Sequence, residues 1–259
     1  MTRYIGVVSG KGGVGKTTVV TNLSTALATK FQKQTTVVDC NVTASHLSMH
    51  FGAYFSPVTL NNVLKNEATV EQAIFKHASG VKVVPASMNL TDLIGVDIST
   101  LGGKIQNLFI NEDFVILDTA PGFGKEAISA TKACKEVLIV TTPDIPSITD
   151  VIRGKAVLEE LGVEPLGLIV NKVTGGKFEL TNKEMMQLTG LTILAKIPYE
   201  KKILESLAAK TPLVFYDDKS RASTEFFKLA STLTGEFYEP PQIGFSFFEK
   251  LSKIFEKLS

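Results

Sequence analysis

The stretch "SGKGGVGKTT" at residues 9–18 directly follows a short apolar run, "YIGVV" at residues 4–8. From Gly10 to Thr17 it fits the spacing Gly-x-x-x-x-Gly-Lys-Thr. Glycines let consecutive backbone N–H groups turn inward, and the positive end of a helix that starts behind them attracts anions. Since a helix is predicted over residues 16–30, the stretch predicts a phosphate-binding loop between a strand and a helix.

The alternation of apolar runs and helix-like segments continues along the chain. Near-continuous runs of Val, Ile and Leu are typical of parallel strands whose two faces are covered by helices. The predicted strands are 4–8, 35–39, 81–85, 114–118, 136–142, 166–171 and 192–198, and the predicted helices are 16–30, 125–134, 147–161, 179–189, 201–209 and 221–235. The pattern predicts an α/β domain over residues 1–238, with a doubly wound, mostly parallel sheet flanked by helices.

The composition is that of an ordinary globular protein and excludes few classes of function. The 259 residues carry a net charge of +1, so the overall charge favours neither a nucleic acid nor a membrane as partner. No apolar run is long enough for a membrane-spanning helix, and no signal peptide is expected. Cys40 and Cys134 form no C-x-x-C pair, which suits a reducing cytoplasm. We therefore expect a soluble, cytoplasmic protein.

The phosphate-binding loop assigns roles to its own residues. Lys16 would neutralise the outer phosphates of a nucleotide, and the Thr17 hydroxyl would ligate Mg²⁺. The loop residues predicted to bind the nucleotide are Gly10, Gly12, Gly13, Val14, Gly15, Lys16, Thr17 and Thr18.

Lys11 adds a second lysine at the start of the loop. The full "KGGVGKT" at 11–17 resembles the deviant Walker A loop of the MinD/ParA family of P-loop ATPases, on the MinD side of that family. In the family the first lysine reaches across a face-to-face dimer to the partner's nucleotide. The resemblance implies the P-loop NTPase fold, a homodimer formed with ATP, and a role for Lys11 in trans. The alternative for Lys11 is a solvated surface lysine.

The resemblance extends along residues 1–235. "FVILDTAPG" at 114–122 looks like the family's Walker B segment, in which Asp118 would hold Mg²⁺ through water and Gly122 would belong to the loop that senses the γ-phosphate. A helix cap is the alternative for Asp118. Further segments match in order and spacing, namely "VTTPDIPSITD" at 140–150, "LIVNKV" at 168–173 and "IPYEKKILESLAAKTPLV" at 197–214.

The same match implies an adenine site. Asn171 would hydrogen-bond the base, and the backbone around Pro198 would flank it. Independently, a guanine reader usually presents Asn-Lys-x-Asp, whereas this chain has "NKVT" at 171–174 and lacks the acid. ATP, with Mg²⁺, is therefore the predicted cofactor.

The segment "TTVVDCNVTASHL" at 35–47 departs from the family, which normally has Asp-x-Asp where this chain has Asp39 and Asn41. An amide cannot take a proton, but it can accept a hydrogen bond from the attacking water. We expect slow hydrolysis with ATP binding and dimerisation intact, unless Asn41 is only a turn residue and another group positions the water. The predicted catalytic residues are Lys11, Lys16, Asp39 and Asn41, and the predicted metal ligands are Thr17, Asp39 and Asp118.

Beyond the two prolines of "EPPQ", residues 239–259 are predicted to form a linker and an amphipathic C-terminal helix. Its apolar face comprises Phe247, Phe248, Leu251, Ile254, Phe255 and Leu258. This plan resembles that of MinD proteins, in which a C-terminal helix on each subunit of the ATP-bound dimer binds the bilayer. The tail has three lysines against two glutamates, which is only a weak basic bias. Docking on the core or on a partner protein is therefore the alternative.

The combined prediction is a MinD-like ATP-dependent switch on the inner face of the cell membrane, which positions cell-division or other polar machinery through a protein partner. Three other classes compare less well or differently. A ParA-like DNA-segregation ATPase would need a basic patch, and the net charge of +1 and the aromatic tail argue against it. A metal-cluster carrier would need a paired-cysteine motif, which Cys40 and Cys134 do not provide. A non-hydrolysing ATP-dependent scaffold is compatible with Asn41, and residues 56–110 show no motif.

Overall fold

The apolar runs of the sequence form the strands of a single sheet. The computed structural model describes residues 2–240 except Asn107 and Ile110, so the predicted C-terminal helix lies outside the described residues. The strands are β1 (Arg3–Val8), β2 (Thr35–Asp39), β3 (Phe75–Lys76), β4 (Lys82–Val84), β5 (Phe114–Asp118), β6 (Glu136–Thr141), β7 (Glu164–Val173) and β8 (Ile193–Pro198).

Helices connect these strands and cover both faces of the sheet. They are α1 (Lys16–Lys30), α2 (Leu47–His50), α3 (Leu60–Leu64), α4 (Val70–Ala73), α5 (Leu101–Ile105), α6 (Lys125–Thr131), α7 (Ile145–Glu160), α8 (Asn182–Thr189), α9 (Lys201–Ala208), α10 (Leu213–Tyr216) and α11 (Arg221–Thr234), with 3₁₀ turns at Leu90–Leu93 and Ile98–Thr100. Among the described residues, no helix has both the length and the apolar character required to cross a bilayer.

The order of the strands places the phosphate-binding loop at the carboxyl end of an interior strand, β1. The order is β3-β4-β2-β5-β1-β6-β7-β8, and every pair is parallel except β3 with β4. Val7 in β1 pairs with Asp118 in β5, which in turn pairs with Asp39 in β2. Because β1 is where the strand order reverses, its carboxyl end opens a crevice between neighbouring loops. The predicted α/β fold is confirmed.

Core residues lie on both faces of the sheet, as continuous apolar strands require. Ile116 packs on the face covered by α1 and α11, while the next residue, Leu117, packs on the opposite face. Helix α1 is buried from Val19 to Leu27, including its polar side chains. Its hydroxyls bond carbonyls one turn back, and Asn22 Oδ1 accepts from the backbone N–H of Val214 at 3.0 Å. These bonds satisfy the hydroxyls of Thr21 and Ser24 and the amide oxygen of Asn22, whereas Thr25 Oγ1 is buried without a hydrogen-bond partner among the described residues.

Helix boundaries differ from the predicted ones where local caps decide them. Helix α7 begins at Ile145 rather than 147, because Asp144 accepts the N–H of Ser147 and caps the helix. Helix α8 begins at Asn182 rather than 179, because Thr181 and Glu184 form a capping box. Helix α6 ends at Thr131 rather than 134. The two-residue strand β3 was not predicted, since it is too short to show a periodic pattern.

Residues 56–106 form a series of short elements instead of one long helix or strand. Helices α3 and α4 each begin with a capping box, at Thr59 and Thr69. Leu60, Leu101 and Ile105 are fully buried there. The segment thus contributes β4, which pairs with β2, and these buried side chains to the core, although the sequence shows no motif in it.

Candidate nucleotide site

The loop between β1 and α1 needs its glycines for conformation and for space. Gly13 and Gly15 have φ of 77° and 95°, in the left-handed region that L side chains rarely adopt. A Cβ on Gly15 would lie 2.2 Å from Asn171 Nδ2, and one on Gly10 would lie 2.3 Å from Asp150 Cβ. The loop therefore packs closely against β7 and α7, with α1 starting directly behind it.

The two side chains at the start of α1 that were predicted to be functional, Lys16 and Thr17, point back under the loop. Lys16 is 8% exposed, and its Nζ donates to Ser9 Oγ at 3.0 Å. Burial lowers the pKa of Lys16, while the nearby charge of Asp118 opposes that shift. The Thr17 hydroxyl donates to Asp118 Oδ2 at 2.6 Å. The structure thus brings the predicted phosphate lysine together with two of the three predicted metal ligands.

Asp118 and Asp39 form a buried acidic pair beneath the loop. Both are at most 3% exposed, and Asp118 Oδ1 is buried without a hydrogen-bond partner among the described residues. Burial raises the pKa of both carboxyls, and the repulsion of Asp118 raises that of Asp39 further. An unpaired carboxylate oxygen beside a hydroxyl and a phosphate-binding loop fits a hard divalent cation such as Mg²⁺.

Asp39 also organises the loop that follows β2. Its Oδ2 accepts from Ser45 Oγ at 2.7 Å and from the N–H of Leu47 at 3.2 Å, and its Oδ1 accepts from the N–H of Asn41 at 3.1 Å. In this structure Asp39 therefore shapes residues 40–47. Its predicted metal role stays a prediction.

Asn41 combines a turn contact with a free acceptor. Its Nδ2 donates to Ala44 O at 2.8 Å, and the N–H of Ala44 returns to Asn41 O at 3.2 Å. Its Oδ1 is buried and accepts no hydrogen bond from any described residue. The side chain is thus fixed by a turn while one acceptor remains for another donor. His46, in the same loop, is exposed and contacts Ala44 O.

Glu126 is a site-adjacent residue that the sequence analysis missed. From the first turn of α6 its carboxylate accepts the N–H of Thr43 at 3.1 Å and the Thr43 hydroxyl at 2.8 Å. It therefore joins the loop that carries Asn41 to the loop that follows Asp118. The only sequence signal was an acid in the first turn of a helix, which is common.

Lys11 lies on the exposed side of the loop. Its Nζ is 3.4 Å from Asp144 Oδ1, with the two side chains 40% and 44% exposed. Burial by itself would raise the pKa of Asp144, but hydrogen bonds from Thr142 and Ser147, together with Lys11, lower it to about 2. The acid is therefore charged at neutral pH, and in this structure Lys11 pairs with an acid of its own chain. The predicted role of Lys11 in trans stays a prediction.

A cavity of about 310 Å³ opens between the phosphate-binding loop and the residues predicted to flank adenine. It is lined by Gly13, Gly15, Lys16, Thr17, Thr18, Asn171 and Pro198, among others. Asn171 Nδ2 donates to Val14 O at 2.7 Å, and the N–H of Gly122 donates to Ser9 O at 2.9 Å. Gly12 lies nearest Pro121, outside the cavity lining.

The remaining predicted features fall elsewhere. The six apolar residues of the tail lie outside the described residues. Cys40 and Cys134 are both buried and unpaired. In residues 2–240, with their two gaps, no group of three or more His, Cys, Asp or Glu side chains is arranged to hold a metal ion.

Comparison with known proteins identifies the family. A model named ParA, described as "NUBPL iron-transfer P-loop NTPase", matches residues 1–234. The chain belongs to the ParA family of P-loop NTPases. This confirms the MinD/ParA resemblance predicted from the loop and Walker B residues.

Individual relatives of this ParA-family protein are similar over almost their whole length. An uncharacterised ATP-binding protein of Methanocaldococcus jannaschii is 32% identical, with 91% of this chain and 89% of that protein covered. The septum site-determining protein MinD of Thermotoga maritima is 30% identical, with the same shares covered. The MinD structure from Pyrococcus horikoshii, complexed with Mg-ADP, is 32% identical with a TM-score of 0.86, and covers 90% of this chain and 96% of that one. The predicted cofactors, ATP and Mg²⁺, agree with the ATP-binding description of the first relative and with the Mg-ADP of the Pyrococcus structure.

Proposed function

We propose that this ParA-family protein is a MinD-like switch that dimerises when it binds ATP. The dimer would attach to the inner face of the cell membrane through the C-terminal helix and position cell-division or other polar machinery through a protein partner. The observation that carries the nucleotide part is Asp118, which accepts from Thr17 at 2.6 Å and keeps a second, buried oxygen unpaired beneath the loop. The MinD relatives support the cellular part.

The residues of the site divide the work of phosphoryl transfer to water. The loop N–H groups and Lys16 would hold the phosphates, and Lys11 of a second copy would reach the same nucleotide. Thr17 and Asp118 would hold Mg²⁺, with Asp39 behind them, and the bound ion would neutralise charge that develops on the phosphates. Asn171 and Pro198 would hold adenine. Asn41 Oδ1 would accept a hydrogen bond from the attacking water but take no proton from it.

This chemistry predicts slow turnover, because positioning survives while proton acceptance is lost. A general base typically contributes about 10²–10⁴-fold, so Asn41→Asp is expected to accelerate hydrolysis by at least about tenfold. The test is steady-state ATP hydrolysis by the full-length protein, with and without liposomes, beside Asn41→Asp and a Lys16→Ala control that should bind nucleotide poorly. If the wild type hydrolyses ATP at an ordinary rate and the aspartate changes nothing, another group positions the water.

A non-hydrolysing ATP-dependent scaffold is the second candidate, and Asn41 is what favours it. Such a protein would bind ATP and dimerise but release no phosphate over hours. The same assay separates the two candidates, since rescue by Asn41→Asp from a zero baseline identifies the scaffold. A measurable baseline that liposomes stimulate identifies the cycling switch.

A further inference from the structure

Lys172 has a backbone conformation that a lysine rarely adopts. Its φ is 58°, in the left-handed region, and it directly follows Asn171 near the carboxyl end of β7. A non-glycine residue held there is strained, and such strain persists where surrounding contacts impose it. The side chain is exposed, so packing in the core does not account for the conformation.

The contact that accompanies this conformation is with the phosphate-binding loop. Lys172 Nζ donates to Gly13 O at 2.7 Å, while Asn171 Nδ2 donates to Val14 O at 2.7 Å. Two consecutive residues of β7 therefore hold two consecutive carbonyls of the loop. The absence of a side chain on Gly15 is what lets Asn171 approach, since a Cβ there would lie 2.2 Å from its amide nitrogen.

Holding these carbonyls fixes the direction of the N–H groups on the same peptide units. In a trans peptide the C=O and the N–H point in opposite directions, and none of the described peptides is cis. When the carbonyls of Gly13 and Val14 turn towards β7, the N–H groups of Val14 and Gly15 turn the other way, into the loop. Those are the donors that a phosphate-binding loop offers to its anion.

We propose that Lys172 is a positioning residue that preorganises the phosphate-binding loop, without touching the phosphates itself. The inference rests on the proposed nucleotide-binding function and deepens it, because it assigns part of the affinity to a residue on the base side of the cavity. Backbone N–H donors that are already aligned lose no conformational freedom when the anion binds. Removing the hydrogen bond from Lys172 to Gly13 should therefore weaken binding of the diphosphate group.

The main test uses Lys172→Met in the full-length protein, which keeps most of the stem and removes the donor. We expect Mg-ADP to bind about tenfold more weakly, as loss of one charge-assisted hydrogen bond predicts. Without nucleotide, backbone amides of residues 13–16 should exchange with deuterium faster. Lys177→Met is the matched control, because it removes the same charge from the exposed loop after β7. It should change neither quantity.

Two further variants separate the effect of the hydrogen bond between Lys172 and Gly13 from the effects of backbone strain and of charge. Lys172→Gly relieves the left-handed strain, so it should melt no lower than the Met variant and yet bind Mg-ADP as weakly. Lys172→Arg keeps a donor and should recover most of the affinity.

Three results would overturn the inference. One is wild-type Mg-ADP affinity and loop exchange in Lys172→Met, and another is an equal loss of affinity in Lys177→Met. The third is a wild-type protein that binds no Mg-ADP at all, which would reject the proposed function as well. The first two would leave that function standing.

Discussion

At the scale of single residues, the candidate site contains carboxylate and amide side chains that each keep a buried oxygen without a hydrogen bond from the described residues. Asp118 is buried with one oxygen unpaired, and Asn41 is held in a turn with one oxygen unpaired. The family resemblance pointed to both residues, with Asp118 at the end of β5 and Asn41 two residues after β2. It did not predict that Asp39 would hold the loop after β2, because that role depends on Ser45 and Leu47 folding back onto it.

The raised pKa of Asp118 has a consequence for stability. Burial raises this pKa from 3.8 to about 6, so the folded protein binds the proton more tightly than the unfolded chain. The associated stability is fully present below about pH 4 and is lost as the pH rises through 6. Asp118→Asn removes the charge and should be about 1–3 kcal/mol more stable than the wild type at pH 8, with no nucleotide or Mg²⁺ present.

Urea unfolding at pH 8 and pH 4 measures this difference, which should shrink at pH 4. Asp218→Asn, at an exposed position, is the control and should have no effect at either pH. The same Asp118→Asn variant should lose the stabilisation by Mg-ADP that the wild type shows. An Asn variant less stable than the wild type at pH 8 would contradict the account.

At the scale of elements, the connection between the loops after β2 and β5 is the feature that the sequence did not reveal. The two carboxylate oxygens of Glu126, in α6, accept hydrogen bonds from the N–H and the hydroxyl of Thr43. The helices and strands themselves were largely predictable, because continuous apolar runs identify buried parallel strands. The predicted helix starts at 147 and 179 were wrong because caps such as Asp144 and Thr181 decide them.

Breaking the Glu126 contact should loosen one loop without unfolding the domain. Glu126→Gln weakens two charge-assisted bonds, so residues 40–46 should exchange amide hydrogens several-fold faster at a cost of about 1 kcal/mol. Hydrogen–deuterium exchange with peptide resolution is the measurement. Glu184→Gln is the control, since among the described residues its carboxylate bonds to Thr181 at the cap of its own helix. Unchanged exchange at 40–46 would show that other contacts hold the loop.

At the scale of the whole molecule, the proposed membrane attachment depends on residues beyond the described core. Deletion of residues 243–259 should abolish ATP-dependent sedimentation with anionic liposomes, because it removes the apolar face that includes Phe247 and Phe255. Dimerisation with ATP, measured by light scattering, should survive the deletion. Sedimentation that persists after the deletion would place lipid contact elsewhere, and a deletion that lowers the melting temperature would favour docking of the helix on the core.

The sequence predicted the architecture more completely than the side-chain contacts of the candidate site. The seven predicted strands all occur, and the loop from Gly10 to Thr17 lies where the motif requires. Contacts between distant segments, such as Lys172 with Gly13, leave no pattern in a linear chain. Apart from the strand at 81–85, the elements of residues 56–106 were not predicted, since these short elements are set by caps and burial against the sheet rather than by periodicity.

The close packing around α1 limits which parts of the molecule can change conformation when a nucleotide binds. The helix is buried over most of its length between the sheet and α11, and Asn22 bonds it to the backbone N–H of Val214. A close-packed segment of this kind does not slide by fractions of an ångström to follow a departing phosphate. Any change of conformation on nucleotide binding is therefore expected in the loops that carry Asn41 and Gly122. Structures with and without nucleotide, superposed on α1, would measure it.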